Sequence, residues 1–356
     1  MNLTGPLPKP KRKLVIAVTG LNAIDSPGPG VAVIRAIRES REYETRIIGL
    51  SYEALEPGIY MHELVDKTYQ VPYPSAGAEN LFHRLSIIHE IEKIDLIIPN
   101  FDAELFSFIK LSDRLKEMGI LTFLPDLEQF EARHKMSLFK FGKKHHLMVP
   151  EDRIVNQLNE LNQAADDLDF PLVVKGKYYD AMIVNTKEEA QKAFYKLQAK
   201  WGLPVIAQKF ITGTEINIAV LGDGKGNTIS VIPMRKLYIT DKGKAWAGIT
   251  IEDASYLELA DRFVKATKWR GGCELEIMQT TDGISYIMEV NPRFPAWIYL
   301  TAAAGQNQPA TLVRMALGEE VEPFKGYTVG KMFIRYAWDL VTDVSEFQQI
   351  SVKGEL

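Results

Sequence analysis

Cysteine occurs once in this 356-residue chain, as Cys273. A single thiol excludes an intrachain disulfide framework and any zinc site built on several cysteines. A reducing, cytoplasmic setting is the expectation that fits. Long apolar runs are missing as well, since nothing approaches the ~18 residues that a membrane span needs. Behind the basic run KPKRK (9–13), the apolar stretch Leu14 to Val18 stops at Thr19 and Gly20. That is shorter than the ~7–15 residues of a signal-peptide core, so the run reads as a solvated leader before a first strand. Nor is there an excess of one charge. The 42 basic and 46 acidic side chains leave a net charge of −4, which argues against a nucleic-acid partner. Repeats and low-complexity tracts are absent. Charged residues at 25% and hydrophobic residues at 46% match a globular chain, and the length suggests two or three structural units.

What is present first is an alternation of strands and helices. LVIAV (14–18), RIIGLS (46–51), IDLIIPN (94–100) and GILTFLP (119–125) read as strands. VAVIRAIRES (31–40) and residues 103–118 carry apolar residues at helical spacing. The pattern predicts an α/β N-terminal domain with a mostly parallel sheet, at about 1–125. The loop at 20–30 contains Gly28-Pro29-Gly30, but Val33 stands where a dinucleotide fingerprint has its third small residue. Pro29 also lacks an amide, and no acidic residue ends the RIIGLS strand. A dinucleotide site is therefore not expected. Two readings stay open for the start of this helix: an anion site at Gly30, or a turn only.

Residues 128–147 read as a charged helical connector ended by Pro150. The adjacent His145 and His146 point in different directions on a helix and make a poor metal pair. A small unit follows, with strands PLVVKG (171–176), AMIVNT (181–186) and PVIAQKF (204–210) and one helix from Lys187 to about Trp201. Beyond it, EINIAVLGDGKGNTISVIPMR reads as a long hairpin.

The stretch CELEIMQTTDGISYIMEVNPR (273–293) carries most information. With Asp282-Gly283 as a two-residue turn, Leu275 faces Val290 and Ile277 faces Met288 on an apolar side. On the other side Glu276 faces Glu289, and Glu274 faces Asn291. Directly opposed like charges are destabilising, so the pair needs a cation, a shared proton or solvent. Carboxylates and an amide oxygen without His or Cys suit magnesium or manganese. Arg293, two residues on, projects to the same side and suits a phosphate.

At these residues the chain resembles the ATP-grasp superfamily, in particular ligases like carbamoyl-phosphate synthase and biotin carboxylase. The resemblance runs over about 130–325 and rests on MEVNPR together with Glu276. It implies an α+β ATP-grasp domain (126–325, with a small lid at about 150–210) after the first domain, and a C-terminal strand and tail (326–356). It implies ATP and Mg2+ (or Mn2+) as cofactors, with Glu276, Glu289 and Asn291 as metal ligands. Arg293, and more weakly Arg235 with Lys236, are expected to steady the reacting groups. Lys175 in PLVVKG and Lys135 in the connector helix are expected at the nucleotide phosphates. In VIAQKFITGTEINIAV the backbone of Lys209 and Ile211 is expected to bond adenine, beside Gln208 and Phe210, with Glu215 on the ribose.

Relatives carry a longer glycine-rich flap than KGKYYDAMIV, so Lys177 and the two tyrosines are expected to shield the phosphates. The activity implied is an ADP-forming carboxylate–amine ligase working through an acyl phosphate. Its partners would be a small-molecule or peptide carboxylate and an amine, with no membrane. A homodimer is an expectation from relatives only. The alternatives are a nucleotide-binding regulator without turnover, or a ligase with ammonia, a thiol or biotin as acceptor.

Overall fold

The computed structural model describes residues 12–24, 26–177 and 180–356. The basic run at 9–13 and the Tyr178–Tyr179 pair therefore lie wholly or partly outside the described residues. The chain opens with β1 (Lys13–Val18), α1 (Pro29–Ser40), β2 (Glu44–Ser51), β3 (Lys67–Gln70), α2 (Ala78–Glu92), β4 (Leu96–Ile98) and α3 (Asp102–Glu117). These strands form a parallel sheet in the order β3-β2-β1-β4. In α1, Gly28 caps the helix and Pro29 supplies a pre-set φ at its first position, while Val33, Ile34 and Ile37 bury one side. The expected strand GILTFLP is reduced to one bridge, Leu121 to Leu96, with Leu121 donating to Asp95. Helix α2 was not anticipated. Its apolar stripe is only Leu81, Leu85 and Ile88.

Two short helices, α4 (Leu127–Ala132) and α5 (Leu138–His145), replace the single connector helix. Then come β5 (Asp152–Val155), α6 (Leu158–Leu168), β6 (Leu172–Lys175), β7 (Ala181–Val184), α7 (Lys187–Trp201) and β8 (Val205–Lys209). They make an antiparallel sheet ordered β5-β8-β6-β7, with both helices packed on one face through Leu161, Phe194 and Leu197. The third sheet uses β9 (Thr214–Asp223), β10 (Thr228–Ile239) and β11 (Ala245–Thr250), then α8 (Ala254–Thr267), β12 (Arg270–Gln279) and β13 (Ser285–Asn291). After α9 (Tyr299–Ala303) and α10 (Gln308–Ala316), β14 (Met332–Ile334) adds an edge, and α11 (Val344–Lys353) ends the chain. Its strand order is β13-β12-β9-β10-β11-β14. The expected GKMFIRYAWDLV strand is thus only three residues long.

One apolar cluster joins the parallel sheet to this third sheet, with Ile16, Ile34 and Ile47 meeting Ala219, Met234, Phe294 and Trp297. The opposite face of the third sheet packs on α8 through Ile216, Ile218, Phe263 and Leu275. The last residues return to the first sheet, where Leu356 and Thr68 exchange backbone hydrogen bonds of 2.8 and 3.0 Å. Among the described residues no helix is long and apolar enough to cross a membrane.

Candidate active site

Strand alternation puts the acidic residues on one face of the third sheet. Glu276 lies opposite Glu289 on β13 and opposite Asn217 on β9, and Glu274 lies opposite Asn291. The expected pairing of Glu276 with Glu289 therefore holds, though by a different route. The loop has three residues, 281–283, since Thr280 donates to Ile284 and Gly283 donates back to Thr280. Gly283 adopts φ +83°, the left-handed position that such a loop reserves for glycine. A bulge between Glu276 and Ile277 absorbs the extra residue, so Ile277 faces Ile287 rather than Met288.

Glu274 is buried and well partnered. It accepts from Asn217 Nδ2 (2.9 Å), Asn291 Nδ2 (3.1 Å) and the Trp297 indole (2.7 Å). Glu276 accepts from Asn291 Nδ2 at 2.9 Å. Burial, with Glu274 and Glu289 beside it, pushes its carboxyl up to about 7. Asn217 is 2% exposed and its Oδ1 has no hydrogen-bond partner, which leaves another oxygen on this face. Arg293 donates from Nε to Asp102 Oδ2 of α3 at 2.9 Å, and its Nη1 stands 3.9 Å from Glu274 Oε2. Burial works against its charge, but Asp102 and Glu274 outweigh that and hold the guanidinium above its ordinary pKa.

Among the described residues no three His, Cys, Asp or Glu side chains gather into a metal cluster. The donor set is two facing carboxylates with amide groups beside them. Such a hard, oxygen-only set suits an ion that keeps its other positions for water and phosphate.

Lys135 and Lys175 face the carboxylates. Lys135 stands 3.2 Å from Glu289 Oε1. It sits in the turn between α4 and α5 and not in a helix, because the connector breaks there. Lys175 ends β6, and burial with Lys135 beside it lowers its pKa against the pull of Glu289, Asp152 and Glu276. Register places Lys175, Gln208 and Asp152 on the face of the small sheet away from its helices. Gln208 is buried with Oε1 unpartnered, and burial pushes Asp152 up to about 6. Next to this, Ile211 is buried and Phe210 half-buried. The Lys209 amide donates to the Glu151 carbonyl at 2.8 Å, so it is not available to a base. The β6–β7 turn is short, closed by Gly176 donating to Asp180 at 3.0 Å. A cleft of about 380 Å³ opens beside Thr214, Glu215, Lys236 and Tyr238, with Arg235 along the strand.

One expectation changes in detail, and one open reading narrows. Arg235 pairs in register with Ile216, whose side chain faces α8, and its charge acts on Tyr256 of that helix. The basic group on the acidic face is Lys236, one residue on, which donates to Glu215 and to the Gly243 carbonyl. At the start of α1, the Gly28 and Gly30 amides donate to Asn22 and Gly20, which leaves those amides unavailable to an anion and favours the turn reading. A side chain at Gly30 would stand 2.2 Å from the Thr19 carbonyl, so the residue serves close packing.

Sequence reasoning missed Asn217, Trp297 and Asp102 as partners of the acidic set. Asn217 was legible as the same-face neighbour of Glu215. The other two depend on contacts distant in the chain.

Comparison with known proteins places residues 203–333 in the family model "ATP-grasp in the biosynthetic pathway with Ter operon". The chain is 22% identical over 313 residues to the carbamoyl phosphate synthase large chain of Agathobacter rectalis, covering 81% of this chain and 27% of that one. It is 26% identical over 178 residues to the D-alanine–D-alanine ligase of Cupriavidus metallidurans, covering 45% of this chain and 54% of the relative. The chain thus spans between about a quarter and a half of these relatives. Among solved structures, a biotin carboxylase–βγ-ATP complex from Campylobacter jejuni superposes with a TM-score of 0.69 at 15% identity, over 89% of this chain and 74% of that one.

Proposed function

We propose, from the premise that this chain has the ATP-grasp fold, that it is an ADP-forming carboxylate–amine ligase. The observation that carries the reading is the Glu276–Glu289 pair, held face to face with Arg293 on one side and Lys135 and Lys175 on the other. One of the solved structures it resembles is a biotin carboxylase–βγ-ATP complex, which supports a nucleotide between the small sheet and the third sheet.

The residues fit a magnesium or manganese ion. Glu276 is pushed up to about 7 by burial and neighbouring carboxylates, which a cation would relieve. Glu276 and Glu289 would hold the ion, with Asn291 beside them. When bound, it neutralises charge on the phosphates. Lys135 and Lys175 present their ammonium groups to the same phosphates. Gln208, Phe210 and Ile211 line the place for a base.

Arg293, fixed by Asp102, meets the transferring phosphoryl group. The substrate carboxylate oxygen attacks the γ-phosphorus, and the bond to ADP breaks. An amine nitrogen then attacks the acyl carbon. The C–N bond forms as the C–O bond to phosphate breaks. Of the two protons that the ammonium form must lose, the departing phosphate takes one and solvent the other. ADP release that needs both a carboxylate and an amine, in the presence of magnesium, is the expected result. AMP as product, or nucleotide binding with no turnover across a panel of acids and amines, would overturn it.

A further inference from the structure

Three aromatic rings stand together where the parallel sheet of the first half ends. Tyr52 follows β2, Tyr73 follows β3, and Phe101 follows β4 at the cap of α3. Tyr52 lies 5.8 Å from Tyr73, nearly parallel, and 6.0 Å from Phe101. Tyr52 packs against the core of this half, while Phe101 is 40% and Tyr73 51% exposed and present their rings outward. They are nevertheless held in place. The Tyr52 hydroxyl donates to buried Glu104, and the Tyr73 hydroxyl donates to Glu53 at 2.8 Å.

The position is a functional one by sheet topology. In the order β3-β2-β1-β4 all strands run parallel and the strand order reverses between β1 and β4, beside Phe101, and ligands favour the carboxyl ends of strands at such a switch point. In the chain, Phe101 is followed by Asp102, the partner of Arg293.

Charge decides what such rings would hold. The charged groups acting on the two hydroxyls are carboxylates: Glu104 and Glu56 on Tyr52, and Glu53 and Glu56 on Tyr73. Ring faces are themselves electronegative and attract ammonium groups. An anion would be repelled here, while the guanidinium of Arg293 lies beyond Asp102.

We propose that Tyr52, Tyr73 and Phe101 form the subsite for the amine substrate, and that this substrate is an aromatic amine, its ring stacked on theirs and its ammonium facing Glu53. Its role as acceptor rests on the ligase reading; its binding does not.

The probe is phenethylamine, with 3-phenylpropionate as its anionic counterpart, titrated into the full chain without nucleotide by calorimetry and saturation-transfer NMR. Phenethylamine binds saturably, and 3-phenylpropionate does not. Tyr73→Ala and Phe101→Ala, both at exposed positions, each weaken phenethylamine about 10-fold while circular dichroism is unchanged. Equal affinity in wild type and both variants overturns the subsite, as does absence of saturable binding or tighter binding of the propionate. ADP release separates the two readings. If phenethylamine binds as described but no acid elicits ADP, the ligase reading falls and the subsite stands. If small aliphatic amines drive ADP release as well as phenethylamine does, with Tyr73→Ala indifferent, the subsite falls and the ligase reading stands.

Discussion

A fully buried carboxylate, Glu104, and a half-buried one, Glu276, stand in different halves of this molecule, and their surroundings differ. Glu104, in the first turn of α3, is fully buried and accepts from the Thr19 and Tyr52 hydroxyls and from the amides of Asn100 and Phe101, each amide at 2.9 Å. Four donors converge on it, and it ties the ends of β1 and β4 together. Glu276, on the third sheet, has one amide donor from Asn291, the three carboxylates of Glu274, Glu289 and Glu215 acting on it, and the Lys236 ammonium as a partial offset. Both are pushed up to about 7, mainly by burial. The first is a completed hydrogen-bond knot, and the second is a crowded carboxylate that a cation or a proton would relieve. An equal shift in proton affinity therefore accompanies a well-partnered group in one place and an under-partnered one in the other. Partners tell them apart, and the shift does not.

The largest test of that contrast is on activity. Glu276→Gln keeps the shape and removes the charge. ADP release is expected to fall by about 100-fold or more, as for loss of a charge clamp. Its melting temperature in metal-free buffer should hold or rise, since a crowded carboxylate is gone. A clear drop in melting temperature without metal would mean that Glu276 is structural like Glu104. Arg293→Ala should lose activity to a similar degree and also lose about 3 kcal/mol in denaturant titration, because Asp102 and Glu274 are left without it.

The next test falls on stability. Glu104→Gln should make the pH profile of stability flatter than wild type. The sign follows from the shift. The folded carboxyl binds its proton up to about 7, whereas its ordinary value is 4.5. Its contribution is therefore full below about 4.5 and lost as pH rises to about 7, on the order of 3 kcal/mol across that window. Urea melts from pH 4.5 to 8 on both proteins would read this difference directly.

Smaller still is the proton count on metal addition. Magnesium binding should release protons near neutral pH and tighten as pH rises through 7, because Glu276 must ionise to bind it. Calorimetry in two buffers of different ionisation enthalpy checks it. The smallest effect belongs to Arg235→Ala, whose side chain faces α8. ADP release should stay within about twofold of wild type, the range for substitutions worth about 0.5 kcal/mol, whereas Lys236→Ala should depress it further.

The acidic face was legible because strand alternation is local: the partners of Glu276 follow from counting back from a turn. The count succeeded although the turn was one residue longer than read, since the bulge at Met288 restored the register. Counting in twos also shows why Arg235 had to be exchanged for Lys236, a distinction that the resemblance alone blurred. Helices α2, α6 and α8 went unseen. In α2 the apolar stripe is thin and tertiary packing holds the helix, whereas α6 and α8 carry a clear apolar face at helical spacing that sequence reasoning passed over. Trp297 on Glu274 and Asp102 on Arg293 join residues 23 and 191 positions apart, a kind of contact that no reading of one strand can supply.

The ion pair between Lys135 and Glu289 has a consequence of its own for a ligase of this kind. One ammonium group is shared between a carboxylate that would bind metal and the phosphates that would draw it away. A nucleotide that recruits Lys135 unclasps Glu289, and a metal ion that takes Glu289 frees Lys135. Each arrival would lower the cost of the other, so the two ligands would load cooperatively through a single exchanged contact, with equal benefit in either order.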